Sequence, residues 1–175
     1  MKGFKRFSHP GSEEKQAINL NQVIETTISV ARHEWKYCAD LVTAFDADLP
    51  LVPCLVGEFN QVILNLIVNS AHAISNAAEE NGNGKGTITI TTRRDGEWAR
   101  IAVADTGAGI PEEIRSRVFE PFFTTTEVGK GTGQGLALAH AAIVKRHRGQ
   151  LWFESVLGHG TTFFIRLPLE MGIPS

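Results

Sequence analysis

The chain of 175 residues has only two cysteines, Cys38 and Cys54. Neither has metal-ligand spacing, and both lie in apolar surroundings, so they read as buried or half-buried free thiols suited to a reducing compartment. Charge of one dominant sign is also missing. Seventeen Lys and Arg against nineteen Asp and Glu leave a net charge of −2, which gives no electrostatic footing for nucleic acid or an anionic membrane as the main partner. No apolar run approaches the roughly 20 residues that cross a bilayer, and the basic, polar start at residues 1–12 has no signal-peptide core. A cytoplasmic domain is expected, whether or not a parent protein carries membrane segments upstream. There is no internal repeat or low-complexity tract. Two standard phosphate-binding fingerprints are absent: no Gly-x-x-x-x-Gly-Lys-Ser/Thr occurs, and no Gly-x-Gly-x-x-Gly register begins at Gly107, Gly129 or Gly131, which disfavours P-loop and Rossmann sites.

With 42% hydrophobic and 21% charged residues, the chain can bury the core of one domain. Residues 1–15 read as the end of a preceding element or a linker, residues 16–170 as the domain, and 171–175 as a tail. From Asn19 to Trp35 apolar residues recur at helical spacing, and Asn19 with Gln22 resembles a capping box. A short strand is expected at 41–45, a long apolar helix at about 58–77, and a polar loop at 79–86. Residues 87–92 and 98–104 alternate around Asp95-Gly96, a hairpin signal. Pro111 suits the first turn of a helix over 111–118. A glycine-rich, helix-poor segment at 120–133 precedes a helix at 136–147, stopped by Gly149. A second hairpin joins 151–155 to 161–167 across 158–160. This mixed order predicts an α/β (α+β) two-layer sandwich, with a mostly antiparallel sheet and helices on one face.

Three features carry chemistry. In the long helix Gln61, Asn65 and Asn69 are spaced by four and His72 follows at three, so they form one stripe. Asparagine is a mediocre helix former, and two of them in an apolar helix need a reason. One reading is a solvated amphipathic face; the other is a strip facing a ligand, with an amide oxygen able to coordinate a hard cation such as magnesium. Next, Asp105-Thr-Gly-Ala-Gly-Ile110 follows a strand. Its glycines let backbone approach a ligand while the acid accepts from an amino or hydroxyl donor. A plain strand-to-helix turn would look similar, as would the acid-glycine loop of methyltransferases that bind S-adenosylmethionine, although Pro111 stands where that loop carries a third glycine. Last, Gly129-Lys-Gly-Thr-Gly-Gln-Gly135 opens a helix. Bared amides and a helix N-terminus make a phosphate cradle, while a flexible loop is the bland alternative.

In this order, the segment Asn65-Leu-Ile-Val-Asn69, the Asp105-x-Gly107-x-Gly109 turn, Phe119-Glu-Pro-Phe-Phe-Thr-Thr125, Gly131-x-Gly133-x-Gly135 and Gly158-x-Gly160-Thr161-x-Phe163 resemble the successive nucleotide-binding boxes of sensor histidine kinases. The resemblance spans residues 16–169 and extends to the superfamily of gyrase, heat-shock and mismatch-repair ATPases (the GHKL fold). It implies ATP and Mg2+ as ligands. Asp105 would accept from the adenine amino group, with Gly107, Gly109 and Ile110 shaping the turn beside the base. Asn69 would hold magnesium, Asn65 would support it, and His72 would stand near the phosphates. Gly131, Thr132, Gly133, Gly135 and Leu136 would form the phosphate loop and the helix start, with Lys130 as counter-charge. Thr161 would close the base pocket from below. The segment 119–132 would be a lid whose Phe119, Phe122 and Phe123 are packing anchors, Phe119 at the edge of the nucleotide site. Asn65, Asn69 and Lys130 are the implied catalytic group.

The superfamily's ATP hydrolases carry a glutamate at the position of Asn65, so the resemblance favours phosphoryl transfer over hydrolysis. Relatives with the same lid continue with lysine where this chain has Thr126, which keeps open a nucleotide-binding module without transfer activity; a serine kinase of the same fold is the other alternative. A phosphoacceptor box is lacking: His33-Glu34 lies in the helix that begins the domain and reads as helix surface. Phe4-Lys-Arg-Phe-Ser8 looks like the end of the hairpin that in this family dimerises and bears the acceptor histidine. The implied partners are that hairpin, a second copy of the full protein and a response regulator.

Overall fold

The computed structural model describes residues 14–81, 84–121 and 135–170. Chain order is β1 (Gln16–Ile18), α1 (Leu20–Val30), a short α2 (Arg32–Trp35), β2 (Ala39–Ala44), β3 (Val52–Cys54), α3 (Val56–Asn81), β4 (Gly86–Asp95), β5 (Trp98–Asp105), a 3-10 turn (Glu112–Arg117), α4 (Gly135–Ala141), β6 (Gln150–Val156) and β7 (Gly160–Pro168). Five strands form one sheet in the order β2-β4-β5-β7-β6. In this sheet β2 and β4 pair parallel, whereas β4-β5, β5-β7 and β6-β7 are antiparallel. β1 and β3 make a separate two-stranded ribbon. The expected two-layer sandwich is the fold found.

Alternation sets the inner face. Ile88 and Ile90 of β4, Ala99, Ile101 and Val103 of β5, and Phe163, Ile165 and Leu167 of β7 are buried, every second residue as the pleat requires. Against them lies α3, whose Phe59, Val62, Ile63, Leu66, Ile67, Ala71 and Ile74 recur at three and four and are also buried. At 26 residues the helix is about 39 Å long. Its polar stripe keeps it from being a span: among the described residues no helix is long and apolar enough to cross a membrane. The outer sheet face carries cross-strand aromatic and arginine pairs, Trp152 stacked on Phe164 at 5.2 Å and Arg100 4.8 Å from the Phe164 ring.

Asn19 caps α1 as expected, its Oδ1 accepting from the Gln22 amide at 3.1 Å. Several boundaries differ from the sequence reading. The first helix breaks at Ala31 into α1 and α2. The expected helix at 111–118 is a 3-10 turn entered through Pro111, which lies outside helical geometry with ψ at 142°. The helix at 136–147 begins at Gly135 and widens into a π turn over Ala142–Arg146, where the His147 amide reaches the Ala142 carbonyl at 3.1 Å. β1 and β3, three residues each, were not foreseen. Cys54 is buried and Cys38 half-buried; burial pushes the Cys54 thiol up to about 12, so it stays neutral and unreactive.

Candidate nucleotide site

The last residue of β5 decides the chemistry. Period-two alternation carries the inward row Ala99, Ile101, Val103 one step further and turns Asp105 toward the core, where the carboxylate is buried. Its register partner on β7 is Thr161, also buried, and Thr161 pairs in turn with Ser155 on β6. Three strand ends thus place an acid and two hydroxyls in one row.

Asp105 Oδ1 accepts from the Gly107 amide at 2.8 Å and from the Thr161 amide at 3.3 Å. Its second oxygen, Oδ2, is buried with no hydrogen-bond partner among the described residues. Burial drives the carboxyl's pKa up, opposed by the Gly107 amide, the Ser70 hydroxyl and the Thr161 amide. A buried acceptor left open costs about 1–3 kcal/mol, and a donor brought by a ligand would satisfy it.

The glycine turn is built for close approach. A Cβ on Gly107 would lie 2.6 Å from the Ala73 Cβ and 2.7 Å from its carbonyl carbon, so only glycine lets this strand end rest on the backbone of α3. Gly109 has φ +79°, and a Cβ there would also meet the Val156 carbonyl oxygen at 2.6 Å. The Gly158 amide donates to the Ala108 carbonyl at 2.7 Å and docks the β6-β7 turn on the loop. The half-buried Ile110 packs against the core; its amide donates to Ser155 Oγ at 2.8 Å.

The asparagine stripe runs alongside. Asn65 Nδ2 donates to the Gly135 carbonyl at 3.1 Å, and its Oδ1 accepts from Gln61 Nε2 at 2.9 Å, so both ends of this amide are engaged. Ala73, two turns further, touches Gly107. Asn69 lies between them, one turn from each, half-buried, with no hydrogen bond of its side chain among the described residues. His72 is half-buried on the same helix. Of the expected site residues, the structure therefore gathers Asn65, Asn69, Asp105, Gly107, Gly109, Ile110, Gly135 and Thr161 around α3 and the strand ends. Leu136 packs against the core. Phe119 sits in an aromatic cluster, its ring 4.8 Å from His140, 5.9 Å from Phe153 and 6.5 Å from Phe163, in keeping with a packing anchor. Lys130, Gly131, Thr132 and Gly133, and with them Phe122, Phe123 and Thr126, lie outside the described residues.

Three participants escaped the sequence reading. Ser70 is fully buried, and its Oγ has no hydrogen-bond partner; the available signal was a lone hydroxyl between Ile67 and Ile74 on the apolar face. Ser155 joins Ile110 to Thr161, its Oγ 2.9 Å from the Thr161 hydroxyl. Arg115 closes the same loop from the 3-10 turn. Nothing local marks the last two.

The fold is the two-layer α/β type found in ATP-binding domains. The chain belongs to the family of histidine kinase-, DNA gyrase B-, and HSP90-like ATPases, whose family model matches residues 56–171. It is 36% identical over 160 residues to the sensor kinase CckA of Brucella abortus (strain 2308), covering 83% of this chain and 14% of that protein. It is 32% identical over 165 residues to the signal transduction histidine-protein kinase AtoS of Escherichia coli (strain K12), covering 94% of this chain and 26% of that protein. Among solved structures, the nucleotide-free catalytic domain of histidine kinase ThkA superposes with a TM-score of 0.76 at 28% identity, over 90% of this chain and 97% of that one. The chain thus spans a small part of the curated relatives' length and nearly all of an isolated catalytic domain.

Proposed function

We propose that this domain binds magnesium-ATP and transfers the γ-phosphoryl group to a histidine on a separate helical hairpin, as the catalytic part of a sensor histidine kinase. The observation that carries the reading is the open, buried Oδ2 of Asp105 beside Gly107, an acceptor suited to the amino group of adenine. Support also comes from Asn65. Its amide can accept no proton at neutral pH and is already held by Gln61 and Gly135, so no general base for water stands at that place.

The donor set fits magnesium: the Asn69 amide offers a hard oxygen without a partner among the described residues, and Asn65 would steady the approach. A bound ion would neutralise charge on the phosphate oxygens. Among the described residues no group of three or more His, Cys, Asp or Glu could hold a metal, so the remaining ligands would come from phosphates and water. The chain's own part is positioning: Asp105 orients the base, the glycine turn sets its plane, and α3 aligns the phosphate end. Lys130 and the glycines at 131 and 133 would complete the phosphate cradle. Residues 1–15 would end the hairpin, 16–170 form the catalytic domain and 171–175 a tail. In the full protein the partners would be that hairpin, a second copy and a response regulator, with the domain in the cytoplasm. A nucleotide-binding module without transfer is the second reading, favoured by Thr126 in place of lysine.

Supplying the native hairpin decides between them. The chain alone should bind ATP with little turnover. Fusion to the hairpin, which raises effective concentration to roughly millimolar, should give an acid-labile, alkali-stable phosphoryl label on the hairpin, unchanged in His33→Ala. Label on the isolated chain that disappears in His33→Ala would overturn the assignment, and ATP binding with no label on a fused hairpin would leave the binding module.

A further inference from the structure

Arg115 stands on the 3-10 turn just after the glycine loop, half-buried, with no carboxylate paired to it among the described residues. Its charge goes instead to two backbone carbonyls. Nε donates to the Ile110 carbonyl at 2.9 Å and Nη2 to the Ser155 carbonyl at 3.0 Å. These carbonyls belong to different walls of the site: Ile110 ends the turn that begins at Asp105, and Ser155 lies near the end of β6. A second thread joins the same walls, from the Ile110 amide to Ser155 Oγ and on to the Thr161 hydroxyl, while the Thr161 amide holds Asp105. The guanidinium adds a second bridge between Ile110 and Ser155, bracing the loop that runs along the chain from Asp105 to Ile110, across to Ser155 and Thr161 and back to Asp105. The planar fork holds its donors at a fixed spacing, a preorganisation that a flexible lysine with a point-like ammonium lacks.

We propose that Arg115 is a positioning residue for the nucleotide base, fastening the glycine turn to β6 so that the acceptor of Asp105 stays aimed at its ligand. The proposal rests on the reading of Asp105 as the base acceptor, but half of its test needs no ligand. Losing the fork releases two charge-assisted bonds on one side of the base, so the cost falls on the base-binding half of the site and not on the phosphate half.

The test uses the whole chain as wild type, Arg115→Met and Arg115→Lys, with ADP and adenosine by calorimetry and amide hydrogen exchange without ligand. Arg115→Met should weaken ADP and adenosine by the same factor, roughly tenfold, with Arg115→Lys falling between. Exchange should accelerate at the Ile110 amide while the β4 amides, which report the global fold, stay protected. Unchanged affinity in Arg115→Met overturns the proposal. So does equal acceleration at Ile110 and in β4, which would make Arg115 a general structural prop. Failure of wild type to bind ADP would defeat the functional reading alone, and the exchange result would still decide whether Arg115 fastens the turn.

Discussion

Ser70 and Asp105 meet in the core with one unpaired oxygen each. The serine hydroxyl is close enough to favour the ionised carboxyl, yet Ser70 Oγ and Asp105 Oδ2 both remain buried without a hydrogen bond. An apolar pair of the same shape would pack there at no polar cost. Keeping two open polar atoms is a standing expense in stability, and it makes sense at a site that waits for a ligand.

That expense can be measured through Asp105→Asn. The folded-state pKa of Asp105 is raised above the ordinary value of 3.8, first by burial. Above the raised value the fold carries a buried charge; as pH falls through it, the folded chain takes up a proton before the unfolded chain does, so this residue's contribution to stability improves on acidification. The asparagine variant should therefore resist heat better than wild type near neutral pH, with an advantage that shrinks as the pH is lowered. It should bind ADP and adenosine more weakly by about 1.5–3 kcal/mol. Thermal melts across pH and calorimetry check both; equal ADP affinity would remove Asp105 from the site.

Asn69→Ala separates metal from base. The variant should lose the magnesium dependence of ATP binding and keep its affinity for adenosine, and α3 should persist because alanine is the better helix former. Titrations with and without magnesium are the measurement. A normal magnesium response would return Asn69 to a solvated helix face.

His147 gives a pH dependence of opposite sign. Its Nε2 accepts from the Leu55 amide at 3.0 Å, while Nδ1 lies 2.8 Å from the Ala142 carbonyl. Only a neutral ring protonated on Nδ1 satisfies both. Burial lowers its pKa below the ordinary 6.5; the unfolded chain therefore gains a proton first as pH falls below about 6.5, and stability is lost from there down to the folded value. His147→Phe should be less stable at neutral pH, by about 1–3 kcal/mol for each buried group left unpaired. Across that window its denaturation midpoint should decline less steeply than that of wild type. Parallel profiles would show that the ring is not held neutral.

Much of this was legible in the sequence because it is local. The 95–96 and 158–160 turns announce two hairpins, the spacing of apolar residues announces α3, and asparagines in an apolar helix mark a candidate site. What failed to show depends on distant partners. Strands β1 and β3 are too short to display alternation, and β3 contains Pro53, which a ribbon tolerates. The π turn after Ala141 ends in the buried ring of His147, whose other nitrogen is anchored at Leu55, 92 positions away. Ser70 looks like any helical serine until β5 delivers a carboxylate beside it, and Arg115 looks like surface charge until β6 brings a carbonyl within reach.

One rod carries both ends of the site. Asn65 touches the start of α4, and Ala73, eight positions on, supports the glycine turn; since both belong to the 26 residues of α3, about 12 Å of unbroken helix separates them. On the proposed reading of the site, the helix would act as a gauge block: its pitch, not the softness of the loops, would fix how far apart base and phosphates are held. A single residue inserted between 65 and 73 would swing one end about 100° around the axis relative to the other, and no rearrangement of the neighbouring loops would restore the calibration.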